Sequence, residues 1–217
     1  MMFQDWGEIP YDEATEKQLA LVQQRVDNTT SDTWVFCSHP PLVTLGRGST
    51  KEDLQGWQGD VFTSSRGGKA TYHGPNQLIV YPIVKLENKD VLKFLFNLEQ
   101  ITINVLRKLG VPAQLSREVF PDQNSNTKLI PTGVWVKDQK IASIGIAVKK
   151  WVTYHGLALN LYQDDQAFKG INPCGFNPEV MTSVEELIQQ KIDRNKVVEV
   201  FKEKIQESVL RILAHQN

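Results

Sequence analysis

The two cysteines are the first side chains to consider, because a thiol can act as a nucleophile. Cys37 lies in the apolar run 34–37, which is typical of a buried strand, and we interpret it as unreactive core. Cys174 lies between Pro173 and Gly175, where proline and glycine favour a turn at the surface or in a cleft. A free cysteine is more often a small buried hydrophobe than a nucleophile, so position alone leaves both readings of Cys174 open.

Lys140 is the second candidate, because it opens the apolar segment 140–145. A lysine beside apolar neighbours loses hydration, which lowers its pKa and makes it useful as a base or as a partner for a thiolate. A solvent-exposed lysine at the end of a turn is the more common arrangement. Lys140 alone does not distinguish the two.

The glycine-rich stretch 66–75 and the segment 153–160 supply further polar groups. In the first, glycine allows the backbone to approach a ligand closely and leaves amide groups free to donate hydrogen bonds. A tight hairpin turn with solvated charges explains the same composition. In the second, His155 and Asn160 are candidates, although each residue is also typical of a structural hydrogen-bond network.

The hydrophobic patterns predict the elements that must position these residues. Helices are predicted over residues 13–26, with Leu19 and Val22 inward, over 91–109 and over 196–213, with Val209 inward. A capping box at Ser183 predicts one more short helix. Strands are predicted over residues 33–37, 42–45, 77–82, 132–136, 140–148 and 153–161. Because helices and strands mix without regular alternation, we expect an α+β or mixed α/β fold, with one domain over residues 1–217.

Composition and failed motifs exclude several functional classes. The formal net charge of −1 gives no reason to expect nucleic acid or a membrane surface as a partner. Residues 1–6 lack a signal-peptide pattern, so we expect a cytoplasmic location. The segment 46–51 lacks the third glycine of a dinucleotide fingerprint, and 68–70 lacks a phosphate-binding loop. The scattered histidines and cysteines do not form a zinc pattern, so neither a metal nor a cofactor is predicted.

Taken together, several blocks resemble the lipoyl(octanoyl) transferase family, which moves octanoyl groups from acyl carrier protein onto lipoyl domains. The matching blocks run in order from about residue 39 to Cys174: residues 66–75, 77, 81–82, 133–136, 140–145, 151–160 and 173–175. The resemblance implies a biotin/lipoate ligase-like catalytic fold, a mixed sheet flanked by helices. It implies an acyltransferase that performs the first step of endogenous protein lipoylation.

The same resemblance assigns roles to particular residues. Cys174 corresponds to the cysteine that carries the acyl group as a thioester, and Lys140 to the lysine that lowers its pKa. The implied substrate contacts are Arg66, Gly67, Gly68, Lys69, Ala70, Thr71, Tyr72, His73, Ser143, Ile144, Gly145, Gly156, Leu157 and Ala158. Asn76 departs from the pattern, because the family usually has glycine there; asparagine is the next-best residue if that position needs a positive φ.

The implied partners are octanoyl-acyl carrier protein as donor and lipoyl domains as acceptors, namely those of 2-oxoacid dehydrogenase subunits and of the glycine cleavage H protein. We expect a monomer. Two alternatives stay open. One is an ATP-dependent lipoate–protein ligase, which shares the fold and a lysine at the position of Lys140 but has no covalent cysteine. The other is a non-catalytic module that binds acyl carrier protein.

Overall fold

The computed structural model describes residues 1–119, 132–173 and 177–214. Within these ranges the strands are β1 (Met2–Glu8), β2 (Thr33–Ser38), β3 (Leu42–Leu45), β4 (Asp60–Thr63), β5 (Ala70–His73), β6 (Gln77–Ile83), β7 (Gln114–Leu115), β8 (Gly133–Val136), β9 (Gln139–Lys149) and β10 (Val152–Asn160). The helices are α1 (Tyr11–Val26), α2 (Val91–Lys108), α3 (Ser116–Val119), α4 (Val184–Ile188) and α5 (Arg194–Ala214).

The strands form two sheets. The larger has seven strands in the order β1-β2-β6-β10-β9-β8-β7, and the smaller has the order β4-β3-β5. Each sheet combines one parallel pair, β1 with β2 and β3 with β4, with antiparallel neighbours. The predicted mixed sheet flanked by helices is therefore confirmed.

Side-chain alternation gives the seven-stranded sheet two different faces. On one face Phe36 and Leu159 pack in the main apolar core with Leu98 of α2 and Phe201 of α5. On the other face Cys37, Ile79 and Ala158 form a smaller cluster with Ala14 of α1. Asp90 caps α2, because its side chain accepts a hydrogen bond of 2.9 Å from the backbone N–H of Lys93. Among the described residues, no helix combines the length and the apolar character needed to cross a bilayer.

Several local predictions were wrong or incomplete. The sequence patterns gave no sign of β1, β4 or β5. Strand β5 was not predicted because it lies inside the glycine-rich stretch. Strand β1 was not predicted because it is a half-exposed edge strand in which polar and apolar residues do not alternate clearly. Leu19 and Val209 were predicted to face inward, but each is 37% exposed. Helix α1 instead buries Tyr11, Ala14, Gln18 and Val22, a stripe that includes a polar residue no hydrophobic pattern would select.

A bulge in β9 decides which way Lys140 points. Gly133 pairs with Ser143 and Val134 with Ala142, but Trp135 pairs with Lys140, so Ile141 is an extra residue. Paired residues share a face of a sheet, and the bulge therefore places Lys140 on the same face as Ser143. The contact with β8 agrees, since a Cβ atom added to Gly133 would lie only 2.7 Å from Cε of Lys140.

Strand β10 depends on a glycine where it meets β6. A Cβ atom added to Gly156 would lie 2.6 Å from Cδ of Pro82 and would overlap the carbonyl oxygen of Val80. We expect Gly156→Ala to lower the free energy of unfolding by about 3 kcal/mol, because backbone must shift to accept the methyl group. Urea denaturation measures this loss. Gly67→Ala is the matched control: its Cβ atom would lie 3.9 Å from the nearest atom, and we expect a change within about 0.5 kcal/mol. Equal losses in both variants would contradict the steric explanation.

Candidate active site

A pocket lies between the smaller sheet and the face of the larger sheet formed by β6, β9 and β10. It contains about 440 Å³ of space that no atom occupies, part of it open to solvent. Ten of the predicted substrate residues line it: Arg66, Gly68, Thr71, His73, Ser143, Ile144, Gly145, Gly156, Leu157 and Ala158. Three further lining residues were not singled out by the sequence reasoning, namely Tyr11, Ile79 and Tyr81, and the sequence candidate His155 lines the pocket as well.

The other four predicted substrate residues do not line this pocket. Because β5 alternates, Thr71 and His73 face the pocket, whereas Ala70 and Tyr72 pack in a separate apolar cluster with Phe168. Lys69 reaches outward to Asp53, with 3.4 Å between Nζ and Oδ1. The backbone N–H of Gly67 donates to the carbonyl oxygen of Ile146 at 3.0 Å. These residues hold the wall of the pocket in place from behind.

Arg66 ties the glycine loop to β3. Its side chain is buried and donates to both oxygens of Thr44 and, through Nη1, to the carbonyl oxygen of Gly67 at 3.0 Å. On the opposite side Gly145 lets the loop lie directly on β9, because an added Cβ atom would be 2.8 Å from the carbonyl oxygen of Gly67. The loop therefore forms one wall of the pocket through its backbone, as the glycine content predicts.

Three buried imidazoles surround this wall, and burial is the main cause that lowers the pKa of each. The pKa of His155 falls from 6.5 to about 4, with Arg66 as a second cause. The pKa of His73 falls well below 6.5, where His39 and then Arg66 add to burial, and the pKa of His39 is also lowered. All three rings are therefore neutral at pH 7. Among the described residues that line this predominantly apolar pocket, Arg66 alone carries a charge.

The hydrogen bonds of His39 and His155 show how neutral rings are held. His39 accepts from the hydroxyl of Tyr81 at Nε2, because its Nδ1 lies 2.7 Å from the carbonyl oxygen of Ile9 and must donate to it. His155 lies at a φ of +57°, and its backbone N–H donates to the side chain of Gln18. Its Nε2 lies 3.1 Å from Oγ of Ser65. No short sequence motif joins these residues, so the spacing along the chain could not reveal them.

Lys140 is fully buried on the pocket side of β9. Its Nζ lies 5.7 Å from the ring centroid of Trp135 and has no hydrogen-bond partner among the described residues. Lysine is almost never fully buried without a partner, because an unpaired buried amine loses its hydration. We infer that the hydrogen-bond partner of Nζ is supplied by a ligand or by a part of the chain outside the described residues.

Cys174, the predicted nucleophile, lies outside the described residues. The described chain that follows it is held at Lys140, and the described chain that precedes it is held at Leu54. Ile171 forms a β-bridge with Leu54, and Met181 forms one with Lys140 itself. The backbone N–H of Thr182 donates to the carbonyl oxygen of Lys140 at 3.0 Å. The described chain that follows Cys174 is therefore fixed to the backbone of Lys140.

Asn76 does not need the backbone freedom of glycine, because its φ lies outside the positive range. Its carbonyl oxygen accepts from the N–H groups of Leu161 and Tyr162, each at 3.0 Å, so its backbone anchors the end of β10. Within the described ranges, no cluster of three or more histidine, cysteine, aspartate or glutamate side chains could hold a metal ion.

Comparison with known proteins identifies the family of this chain. The model of the lipoyl protein ligase A/B catalytic domain matches residues 10–206. An octanoyltransferase of Bdellovibrio bacteriovorus is 42% identical over 98% of this chain and 99% of its own length. The chain belongs to the lipoyl protein ligase A/B catalytic domain family. Another relative, an octanoyltransferase of Caldicellulosiruptor bescii, is 40% identical over 89% of this chain and 84% of its own length.

Solved structures of lower sequence similarity share the fold of this family member. The putative lipoate protein ligase Ta0514 of Thermoplasma acidophilum gives a TM-score of 0.67 at 16% identity, covering 96% of this chain and 85% of its own. The biotin protein ligase of Aquifex aeolicus gives a TM-score of 0.54 at 12% identity, covering 97% and 69%. The predicted biotin/lipoate ligase-like fold is confirmed.

The neutral state of His155 makes stability depend on pH. Its folded pKa of about 4 is below the ordinary value of 6.5, so the unfolded chain takes up a proton first as the pH falls. We expect His155 to contribute about 2 kcal/mol to the loss of unfolding free energy between pH 7 and pH 5. His155→Asn, which tolerates the positive φ, should remove this part of the loss in urea titrations at the two pH values. Ser65→Ala removes a neighbour of the same ring but keeps the titrating group, so its pH dependence should match the wild type. An unchanged loss in His155→Asn would contradict the assignment.

Proposed function

We propose that this chain transfers an octanoyl group from octanoyl-acyl carrier protein to the target lysine of a lipoyl domain, through a thioester on Cys174. The observation that carries the proposal is the buried amine of Lys140, which lacks a hydrogen-bond partner among the described residues and adjoins the chain that follows Cys174. Family membership and relatives named octanoyltransferase support the reaction class.

In the first half-reaction, the thiolate of Cys174 attacks the carbonyl carbon of the donor thioester. A new S–C bond forms, the donor S–C bond breaks, and the carrier-protein thiolate leaves and takes up a proton. An ordinary thiol has a pKa of about 8.5 and is mostly protonated at pH 7. A cationic Lys140 beside the sulfur favours the thiolate, and the thiolate in turn compensates the buried charge of the amine.

In the second half-reaction, the acceptor lysine attacks the carbonyl carbon of the Cys174 thioester. The C–N bond forms, the C–S bond breaks, and the thiolate of Cys174 returns. The acceptor lysine arrives as an ammonium group and loses two protons in forming the amide. Lys140, which gives its own proton to the carrier-protein thiolate in the first half-reaction, is the base that we assign for one of them, and solvent takes the other. A thioester is activated enough to form an amide, so this route needs no ATP.

The pocket suits a neutral, unbranched acyl chain. Ile79 and Ala158 present small or apolar side chains on the sheet face, and Gly145 and Gly156 add no side chain to the lining. The imidazoles of His73 and His155 are uncharged at pH 7 and so do not demand an anionic ligand. Polar atoms at the rim then serve to orient the carbonyl end.

A second pocket, of about 840 Å³, suits the approach of the acceptor. Its charged lining residues are Asp164, Asp165, Lys169, Glu179 and Glu186, which leaves an excess of negative charge. It also includes Thr182, whose N–H bonds to Lys140. Acidic side chains attract the cationic target lysine before it loses its proton. We propose as acceptors the lipoyl domains of 2-oxoacid dehydrogenase subunits and the glycine cleavage H protein. A monomeric, cytoplasmic enzyme is part of the same proposal.

The main alternative is an ATP-dependent lipoate–protein ligase. A lipoate–protein ligase A bound with ATP has the same fold, with a TM-score of 0.67 at 15% identity over 96% of this chain and 86% of its own. The higher identity to relatives named octanoyltransferase favours transfer. A binding module without activity is less well supported, because binding alone gives no reason to bury an unpaired lysine amine.

We expect incubation with octanoyl-acyl carrier protein, without ATP, to add one octanoyl mass that hydroxylamine removes, and to pass it to a lipoyl domain. Cys174→Ala should lose both the adduct and the transfer, because no thiolate remains to accept the acyl group. Cys37→Ala is the control and should keep both, since Cys37 is fully buried and burial raises the pKa of its thiol. Intact-protein mass spectrometry measures the adduct. Transfer that persists in Cys174→Ala, or that requires ATP and free lipoate, would end the proposal.

We expect Lys140→Met to raise the midpoint pH of Cys174 alkylation by about 1 to 3 units, because the thiolate loses a cation at close range. Iodoacetamide labelling across a pH series, read by mass spectrometry, measures this midpoint, and buried Cys37 contributes no label in the folded protein. Lys149→Met removes a lysine at the exposed end of β9 and should leave the midpoint unchanged. Equal midpoints in wild type and Lys140→Met would argue against a Lys140–Cys174 pair.

A further inference from the structure

The hydroxyl of Thr44 lies at the centre of a buried hydrogen-bond cluster behind the pocket wall. Oγ1 of Thr44 lies 3.1 Å from Nε and 2.7 Å from Nη2 of Arg66. The same oxygen lies 3.1 Å from Nε2 of His73. Thr44 is fully buried and lies on β3, directly opposite Thr71 of β5. It does not line the pocket, and no sequence motif singles it out.

Counting donors and acceptors fixes the direction of each bond. A guanidinium group only donates, and a hydroxyl has two lone pairs and one hydrogen. Arg66 fills both lone pairs of Thr44, so the single hydroxyl hydrogen must point to His73. Nε2 of His73 is therefore an acceptor and carries no proton.

The proton of the neutral imidazole must then be on Nδ1. Burial lowers the pKa of His73 well below its ordinary value, and His39 and Arg66 act in the same direction, so the doubly protonated ring is not populated at pH 7. His73 lines the pocket and is only 7% exposed. Its Nδ1 is buried and has no hydrogen-bond partner among the described residues. A buried N–H without an acceptor is costly, which indicates that the acceptor arrives with a ligand.

We propose that His73 donates from Nδ1 to the carbonyl oxygen of the bound acyl group, and that Thr44 is the positioning residue that fixes this tautomer. The inference rests on the proposed function, because it takes an acyl group as the ligand. An unsubstituted acyl chain offers one good hydrogen-bond acceptor, its carbonyl oxygen. Arg66 serves this oxygen less well, since it already gives four hydrogen bonds to Thr44 and Gly67.

The tautomer also matters for the chemistry of the site. A neutral N–H stabilises negative charge on the carbonyl oxygen as the tetrahedral intermediate forms, without adding a second cation beside Lys140. The opposite tautomer would present the lone pair of Nδ1 to that oxygen and repel it. Thr44 thus acts on the reaction through the orientation of one proton, although it does not contact the ligand.

Two variants of Thr44 separate this role from packing. Thr44→Val keeps the shape but removes the hydroxyl, so His73 loses the donor to Nε2 and the two tautomers become comparable. Thr44→Ser keeps the hydroxyl and should retain the Nδ1–H form. Nitrogen-15 NMR of histidine-labelled protein reports which ring nitrogen carries the proton, and His73→Gln assigns the signals. This measurement needs neither substrate nor turnover.

A wild-type ring protonated at Nε2 would overturn the inference even if octanoyl transfer is normal. The same holds for a tautomer that does not change in Thr44→Val. If Thr44→Val does not fold, the wild-type and Thr44→Ser spectra still decide the assignment, because both must show Nδ1–H. A protein with Nδ1–H that never accepts octanoyl would instead overturn the proposed function.

A labelled acyl group tests whether His73 donates to the carbonyl oxygen of the ligand. The octanoyl group carries carbon-13 at its carbonyl and is loaded on Cys174 from the carrier protein. The infrared carbonyl stretch should be lower in wild type and Thr44→Ser than in Thr44→Val, because a hydrogen bond weakens the C=O bond. We expect Thr44→Val to lower kcat of acyl loading by about tenfold to a hundredfold, with KM for the carrier protein unchanged. Equal stretching frequencies in wild type and Thr44→Val would overturn the assignment of the carbonyl to His73.

Discussion

The close approach of the glycine loop to β9 is the constraint on which the pocket depends. The backbone of residues 66–68 lies so close to Gly145 of β9 on one side, and to Gly46 at the end of β3 on the other, that neither glycine has room for a side chain. The bond from Gly67 to Ile146 fixes this spacing, and Arg66 holds the other side of the loop to Thr44. A loop that stood farther away would open the pocket to water, and the short apolar chain of the ligand would gain less from burial.

Few of the described side chains around this pocket carry a charge at pH 7. His39, His73 and His155 are held neutral by burial, and each has at least one ring nitrogen placed by a specific partner. In the part of the chain that the structure describes, the buried cationic side chains here are Arg66, which is engaged by the backbone and by Thr44, and Lys140. Because an isolated buried cation is costly, a single unpaired amine in such surroundings responds strongly to any anion that comes near. This is the physical basis of the proposed pairing of Lys140 with a thiolate.

The sequence predicted the strands that form the floor of the pocket. It did not predict in which direction several side chains on those strands point. Apolar runs identified β6, β9 and β10, and the glycine content of residues 66–75 indicated a close backbone approach. A regular strand, however, would put Lys140 and Ser143 on opposite faces. Only the extra residue Ile141 brings them together, and nothing in its type predicts a bulge. Likewise, Thr44, Arg66 and His73 meet through pairing of β3 with β5, which depends on tertiary structure.

The position of Lys140 is set by backbone rather than by side-chain contacts. Its own strand is fixed between β8 and β10, and its carbonyl oxygen is bound by the N–H of Thr182, while Asn160 donates to the carbonyl oxygen of Thr182 at 2.8 Å. The chain leaving the Cys174 segment is therefore attached to the lysine and to β10 at one point. A change in either segment must move the other, because main-chain hydrogen bonds allow little sliding. The main chain that carries Lys140 is in this way maintained by the same bonds that maintain the fold.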